Sequence, residues 1–362
     1  MDSFDSVPEQ HEAKRLLRAA LADGPAHAFL FHGPPGVGKR AAALAFATEI
    51  IGSGDDRVSR NAHADLYLLD PVGDQIRIDD IRTLRHDLHM RPFESQRRVY
   101  VIERAETMNE DAADALLKDL EEPPPYAVIV LIVDDVGPLP ETIRSRCQHV
   151  PFRRLSERAV RDEIEKIAPG LDATQTTALA RVSGGRLDRV NRLLDPQSAK
   201  RREAVLEVAR DVYRDATFEP ADAAARVLAC VAEKGNAAKK REEERLERLA
   251  LPTREAEQRV RRAQRGAERE ELLASLEELA AWYRDLVVAA VGAPAAALHA
   301  DRTSELQEDA SVERLAAAEG ACELVREAWR GFEEFNLNAE LALEALFVRL
   351  RRELAGNLVL NA

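Results

Sequence analysis

Cysteine is scarce in this chain of 362 residues: there are three, Cys147, Cys230 and Cys322, far apart. They form no CxxC pair and suggest no disulfide framework, which argues against a small secreted scaffold and suits a reducing compartment. Aromatic residues make up only 5%. Long apolar runs are missing as well. The best candidates, such as Ala127 to Val133, are strand-sized and far below the roughly 20 residues that cross a bilayer. The N-terminus has no basic-then-apolar leader pattern. Nor is there an excess of positive charge: 52 basic residues face 65 acidic ones, a formal net charge of −13. That argues against a chain that wraps nucleic acid unaided, although not against an acidic subunit within a DNA-binding assembly. The expectation is a soluble cytoplasmic protein.

What is present is enough for two or three packed domains. Hydrophobic residues reach 45% and charged residues 32%, a helix-rich balance. From residue 1 to about 153, strand-like and helix-like stretches alternate. Phe29 to His32, Val99 to Ile102 and Val128 to Val133 read as buried strands. Arg40 to Ile51, Asp79 to Met90 and Asn109 to Leu120 read as helices, the last stopping before Pro123-Pro124-Pro125. Such alternation predicts an α/β domain with a parallel sheet covered on both faces. Residues 154–199 read as short helices broken at Pro169-Gly170 and Gly184-Gly185. Residues 200–362 read as purely helical. Within them, Lys239 to Glu271 is dense in Arg and Glu, with Glu244/Arg248, Glu255/Arg259 and Glu257/Arg261 at i,i+4 and Pro252 as an interruption. The alternation of acids and bases predicts a solvated helical hairpin rather than a nucleic-acid arm.

Chemistry concentrates in Gly33-Pro34-Pro35-Gly36-Val37-Gly38-Lys39-Arg40, which follows a strand and opens a helix. This nearly fits the phosphate-loop pattern G-x-x-x-x-G-K-[ST] in its required setting. Gly33, Gly36 and Gly38 let backbone N–H groups turn toward a phosphate, the helix N-terminus adds a positive dipole end, and Lys39 would reach the terminal phosphates. The last position is Arg40, where a hydroxyl should hold Mg²⁺. A guanidinium cannot ligate a metal and repels one. Either the loop binds nucleotide without metal-assisted chemistry, or it is purely structural.

A second acidic motif is altered too. The strand ending at Ile102 leads into Glu103-Arg104-Ala105-Glu106. Glu103 stands where an Asp would hold Mg²⁺, and Arg104 stands where a carboxylate would activate water. Arginine cannot accept that proton. Glu106 is two residues further on and is not expected to rescue the reaction. With both metal and water positioning lost, phosphoryl transfer is not expected.

The segments FDSVPEQHEAKRLL (Phe4 to Leu17), HAFLFHGPPGVGK (His27 to Lys39), AADALLKDLEEPP (Ala112 to Pro124) and LPETIRSRC (Leu139 to Cys147) resemble bacterial clamp-loader AAA+ subunits. Ala339 to Leu346 resembles their ending in outline. The resemblance implies an AAA+ P-loop domain over residues 1–153, a helical lid over 154–199 and an all-α collar domain over 200–362. Within the family, motor subunits (gamma/tau) carry an intact ATP site and a four-cysteine zinc module. Subunits of the delta-prime kind keep Ser-Arg-Cys on a degraded site. This chain resembles the latter. Gly52 to Leu69 holds His63 and Asp65 but no cysteine, so no structural metal is expected. By resemblance, Arg146 is an arginine finger acting in trans on a neighbour's nucleotide, with Arg144 its competitor. The lid arginine falls at Arg186 or, in another register, at Leu187. The polar sensor position falls at Val133 or Asp134, and neither is the usual Thr or Asn. The resemblance implies gamma/tau and delta subunits as partners, with the sliding clamp and primer-template DNA reached through the assembly of the DNA polymerase III holoenzyme. No cofactor is required; ATP or ADP could sit in the loop without being hydrolysed. The alternative is an active ATPase of the gamma/tau kind.

Overall fold

In a computed structural model, the chain is described at every residue except 1–2, 53–56, 72, 74, 247–252, 336 and 356–362. It divides into two compact units. One is Met1–Leu171 with Gly185–Arg189; the other is Asp172–Gly184 with Val190–Ala362.

The first unit is built on five parallel strands: β1 (Ala28–His32), β2 (Leu66–Leu69), β3 (Arg98–Ile102), β4 (Ala127–Val133) and β5 (Gln148–Pro151). Their order across the sheet is β2-β3-β4-β1-β5. Side chains alternate between faces, so β1, β3 and β4 each feed two cores. Phe29, Phe31, Val99, Val101, Val128 and Val130 pack on one face with α1 (His11–Asp23) and α2 (Lys39–Ile51). Leu30, Tyr100, Ile102, Ile129, Leu131 and Val133 pack on the other with α3 (Ile78–Leu88) and α4 (Glu110–Glu121). Helix α3 presents Ile81, Leu84 and Leu88 to that core at i,i+3,i+7 spacing. Helix α4 starts where the Asn109 side chain accepts the N–H of Ala112, and it ends before the prolines. A one-turn helix, α5 (Glu141–Arg144), leads into β5, and α6 (Glu157–Ile167) follows it.

The strands and helices expected from hydrophobic spacing are present, with ends moved by a residue or two. Two strands, β2 and β5, and two helices, α1 and α5, carried no separate signal. β5 is four residues with a terminal proline and exposed Gln148 and His149, an edge strand without alternation. β2 is equally short.

His63 and Asp65 turn out to be structural. The fully buried Asp65 carboxylate accepts the N–H groups of Phe93, Glu94 and Ser95 and the Ser95 hydroxyl. Burial disfavours its charge, yet these donors outweigh that and hold its pKa below the usual value. His63 Nδ1 accepts the Asp65 N–H. Residues 53–56 of the Gly52–Leu69 stretch lie outside the described residues.

The second unit is helical: α7 (Ala173–Val182), most of α8 (Leu187–Leu194), α9 (Pro196–Arg214), α10 (Pro220–Leu246), α11 (Thr253–Ala290), α12 (Thr303–Asp309), α13 (Leu315–Glu334) and α14 (Ala339–Ala355). Trp282, Tyr283, Leu276, Leu279, Phe347 and Leu350 fill its core. Full burial of such side chains contributes about 1.5–3 kcal/mol each. Exposed pairs such as Arg326–Glu323 contribute about 0–1 kcal/mol, so packing dominates here. The charged segment from Lys239 to Glu271 covers the end of α10 and the start of α11. Its hairpin is tied between helices: Arg259 Nε lies 2.7 Å from Glu242 Oε1, and Gly235 faces Glu268 closely enough that a Cβ would sit 2.5 Å from its Cγ. Pro252 and the Arg248 partner of Glu244 lie outside the described residues, and of the Glu255 side chain nothing is described.

His299 is fully buried in this unit. Its backbone N–H and Nδ1 each lie 2.7 Å from Asp285 Oδ2, and Nε2 lies 3.3 Å from Glu278 Oε1. Burial opposes its charge, and Arg202 beside Glu278 opposes it further, but the two carboxylates prevail and raise the pKa. The folded pKa is therefore above the unfolded one. The stabilisation is full below the unfolded value of about 6.5 and is lost as pH rises through the folded pKa. Unfolding of the full chain, followed by tryptophan fluorescence in urea, should show stability falling as pH rises above about 6.5. His299→Gln should flatten that slope; an unchanged slope would contradict the assignment.

Candidate functional site

The carboxyl ends of β1, β3 and β4 converge where the strand order reverses around β1, the place where open α/β sheets hold ligands. The phosphate loop lies there, between β1 and α2. Gly33, Gly36 and Gly38 have φ of +140°, +68° and +97°. Gly33 is also pressed against β5's exit: a Cβ would sit 2.2 Å from the Phe152 carbonyl oxygen. Gly36 is overlaid by the segment after α7. The Leu187 N–H donates to the Gly36 carbonyl at 2.8 Å, and a Cβ on Gly36 would meet Asp188 Oδ1 at 1.8 Å. Arg186 pairs with that Asp188 carboxylate through Nε at 3.1 Å and Nη2 at 2.6 Å. Of the two residues competing for the lid position, Leu187 thus gives its backbone to the loop and Arg186 gives its side chain to Asp188.

Lys39 is 5% exposed, and its ammonium is fully engaged. It donates to the carbonyls of Gly33 (2.5 Å) and Pro34 (2.6 Å) and to Asp134 Oδ1 (2.7 Å). Three donors meet three acceptors. Asp134 follows β4, at the sensor position read from the sequence. Its pairing with Lys39 was not foreseen, although an acid at the carboxyl end of a central strand was the available signal.

Arg40 Nη1 lies 2.6 Å from Glu103 Oε1 and 4.0 Å from Asp70 Oδ2. The contact with Glu103 is an ion pair by distance, without hydrogen-bond alignment. Burial raises the pKa of Glu103, and the opposing pull of Arg40 does not cancel that rise. Mg²⁺ would need a hydroxyl at position 40 and a free carboxylate at 103; the residues present do not fit it, because a guanidinium takes up the carboxylate. Arg104 has φ +49° and turns away, donating through Nη2 to the carbonyls of Pro71 (3.1 Å) and Gly73 (3.2 Å). Glu106 Oε1 accepts the Asp134 N–H at 3.2 Å. Burial pushes its pKa up to about 7, with the Asp134 charge adding to the shift and Lys39 opposing it.

Gln10 was not foreseen as part of this neighbourhood. It is buried, donates to the carbonyls of Val37 and Arg153 and accepts the Arg153 N–H, stapling the phosphate loop to the exit of β5. Its partners lie 27 and 143 residues away, beyond any local pattern.

The Ser145-Arg146-Cys147 motif is at the other end of the sheet. Gln148 pairs with Phe29 and Pro151 with His32, so the motif precedes β5 at the strands' amino edge while the loop leaves β1 at the carboxyl edge. Three residues of strand separate those edges by about 10 Å. Arg146 donates to the Thr142 carbonyl at 2.8 Å and pairs with Glu121 Oε1 at 2.5 Å; its side chain is 36% exposed. Arg144 Nε is buried with no hydrogen-bond partner among the described residues. Cys147 is a core residue whose thiol pKa burial pushes up to about 12.

Residues 9–156 match the family model described as DNA polymerase III, delta subunit. Over these residues, less than half of the chain, the sequence is similar to DNA polymerase III subunits. Over 162 residues the chain is 35% identical to DNA polymerase III subunit delta′ of Bacillus subtilis, covering 42% of this chain and 49% of that protein. Over 174 residues it is 32% identical to subunit delta′ of Pseudomonas aeruginosa, covering 44% and 53%. Over 183 residues it is 31% identical to subunit tau of B. subtilis, covering 47% and 32%. The chain thus spans about half or less of the length of these relatives. Both delta′ and tau kinds are among them, and the altered side chains at 40, 103 and 104 all lie within the family segment.

Gly36 offers a direct check on the overlay of the loop. Gly36→Ala forces a side chain into positive φ and against Asp188, a combination expected to cost about 1–3 kcal/mol or more. Urea unfolding should register that loss. A variant as stable as the parent would contradict the close approach.

Proposed function

We propose that this chain is a non-hydrolysing clamp-loader subunit of the delta-prime kind. It would assemble with gamma/tau and delta subunits, help load the sliding clamp on primer-template DNA, and lend Arg146 to a neighbour's ATP site. The observation that carries this reading is the Arg40–Glu103 ion pair. It puts an internal cation where hydrolysis requires a metal, and Arg104 supplies no base in its place. Domain limits near 153 and 199, with the last region as a collar, belong to the same proposal.

The polarity of the sheet supports the role of Arg146. An arginine at the amino edge faces away from its own phosphate loop, so a role in phosphoryl transfer has to be exercised on another subunit's nucleotide. A guanidinium so used neutralises transition-state charge and contributes about 10³–10⁵ in rate in GTPases. Its pair with Glu121 is half-exposed and weak enough to exchange for a phosphate.

The tau relative favours a second reading, an active motor subunit of the gamma/tau kind. Hydrolysis by the isolated chain separates the two, and the reconstituted loader tests the finger. With Arg146→Ala in this subunit, clamp- and DNA-stimulated ATP turnover should fall by at least about tenfold, a loss of about 1.4 kcal/mol in transition-state stabilisation. Turnover equal to that of the parent loader would sink the finger assignment.

A further inference from the structure

The phosphate loop is ringed by its own counter-ions. Lys39 spends its donors on Gly33, Pro34 and Asp134. Arg40 is drawn to Glu103, with Asp70 at 4.0 Å. Asp188 presses on Gly36 and carries Arg186 as partner. Arg104 is tied to backbone carbonyls beside Glu103. Four cations (Lys39, Arg40, Arg104 and Arg186) thus face four carboxylates (Asp70, Glu103, Asp134 and Asp188), with the Glu106 carboxyl in addition. A working phosphate loop attracts polyphosphate by uncompensated N–H groups and an available lysine. Here the positive charge is already matched.

The structure assigns Asp134 as the residue that closes this loop to nucleotides. We propose that its carboxylate stands in for a terminal phosphate on Lys39, while Arg40 stands in for the metal on Glu103. The loop therefore keeps its shape without ligand and rejects nucleoside di- and triphosphates. A nucleotide entering would have to displace Asp134 from a lysine that is almost fully buried, and then hold its own phosphate beside the displaced charge. Both terms oppose binding, and both act at short range in a site of reduced dielectric. The same two pairs explain how a chain can keep the Gly33–Lys39 turn intact without using it: the loop's cations are satisfied from within, and the helix α2 that it opens stays anchored to β4 through one ion pair. This inference deepens the idle-site reading; loader turnover tests that reading, whereas nucleotide binding by the isolated chain tests this one.

The test is titration of the purified full-length chain with a fluorescent ADP analogue, with EDTA and separately with Mg²⁺. The parent should show no saturable binding, corresponding to a Kd above about 1 mM. Asp134→Asn removes the charge but keeps an acceptor for Lys39, and Asp134→Ser shortens the side chain as well. Asp134 is 43% exposed, so both variants should keep the parent's fold, as circular dichroism would show, with a lower melting temperature tolerated. Each should bind at least about tenfold tighter. Adding Lys39→Ala to Asp134→Asn should erase the gain. Micromolar binding by the parent, no tightening in either folded variant, or a gain that survives Lys39→Ala would overturn the proposal.

Discussion

The contact between Arg40 and Glu103 governs what the carboxyl edge of this sheet can do. It joins the first turn of α2 to the end of β3. In a phosphate-loop enzyme that gap is bridged by a hydroxyl, a metal and a carboxylate. A guanidinium bridges it here in one step and leaves no place for a divalent ion. Desolvation of Glu103 would be costly if it were unpaired, so the two altered positions support each other. The Lys39–Asp134 pair repeats the arrangement one strand away and ties the loop to β4. The edge is held by its own charges.

The opposite edge has a different character. Arg146 rests on a half-exposed glutamate and a backbone carbonyl, within reach of solvent. Interactions of that kind exchange readily, whereas the buried Lys39 cluster does not. One end of the sheet is therefore held by the ion pair of the buried Lys39, and the other carries a partly exposed pair. That asymmetry suits a subunit whose contribution lies at a boundary with a neighbour rather than in its own cleft.

The parallel sheet and its helices were legible because β1, β3 and β4 are buried on both faces and read as continuous apolar runs, while α3 and α4 keep helical spacing. The short β2 and the edge strand β5 were not, since four residues with polar or proline positions carry no period. The phosphate loop and its losses at Arg40 and Arg104 were legible because glycine spacing and side-chain chemistry are local. What those arginines do instead was not. Arg40 could have pointed to solvent, and only the fold sets it against Glu103. Gln10, Asp134 and Asp188 reach the loop from 27, 95 and roughly 150 residues away. Hydrophobic pattern does not encode contacts at such separations. The charged hairpin of α10 and α11 taught a similar lesson: spacing along one helix suggested pairs on its own surface, while Glu242 turned to Arg259 on the next helix.

The account stands or falls on whether this loop performs hydrolysis of its own. The most direct measurement is release of labelled phosphate from ATP by the isolated full-length chain at saturating Mg²⁺, set beside its Lys39→Ala variant. The account predicts the same background rate from both, because Arg40 takes up the Glu103 carboxylate that would hold a metal and Arg104 cannot serve as a base. Turnover by the parent that Lys39→Ala abolishes would contradict it.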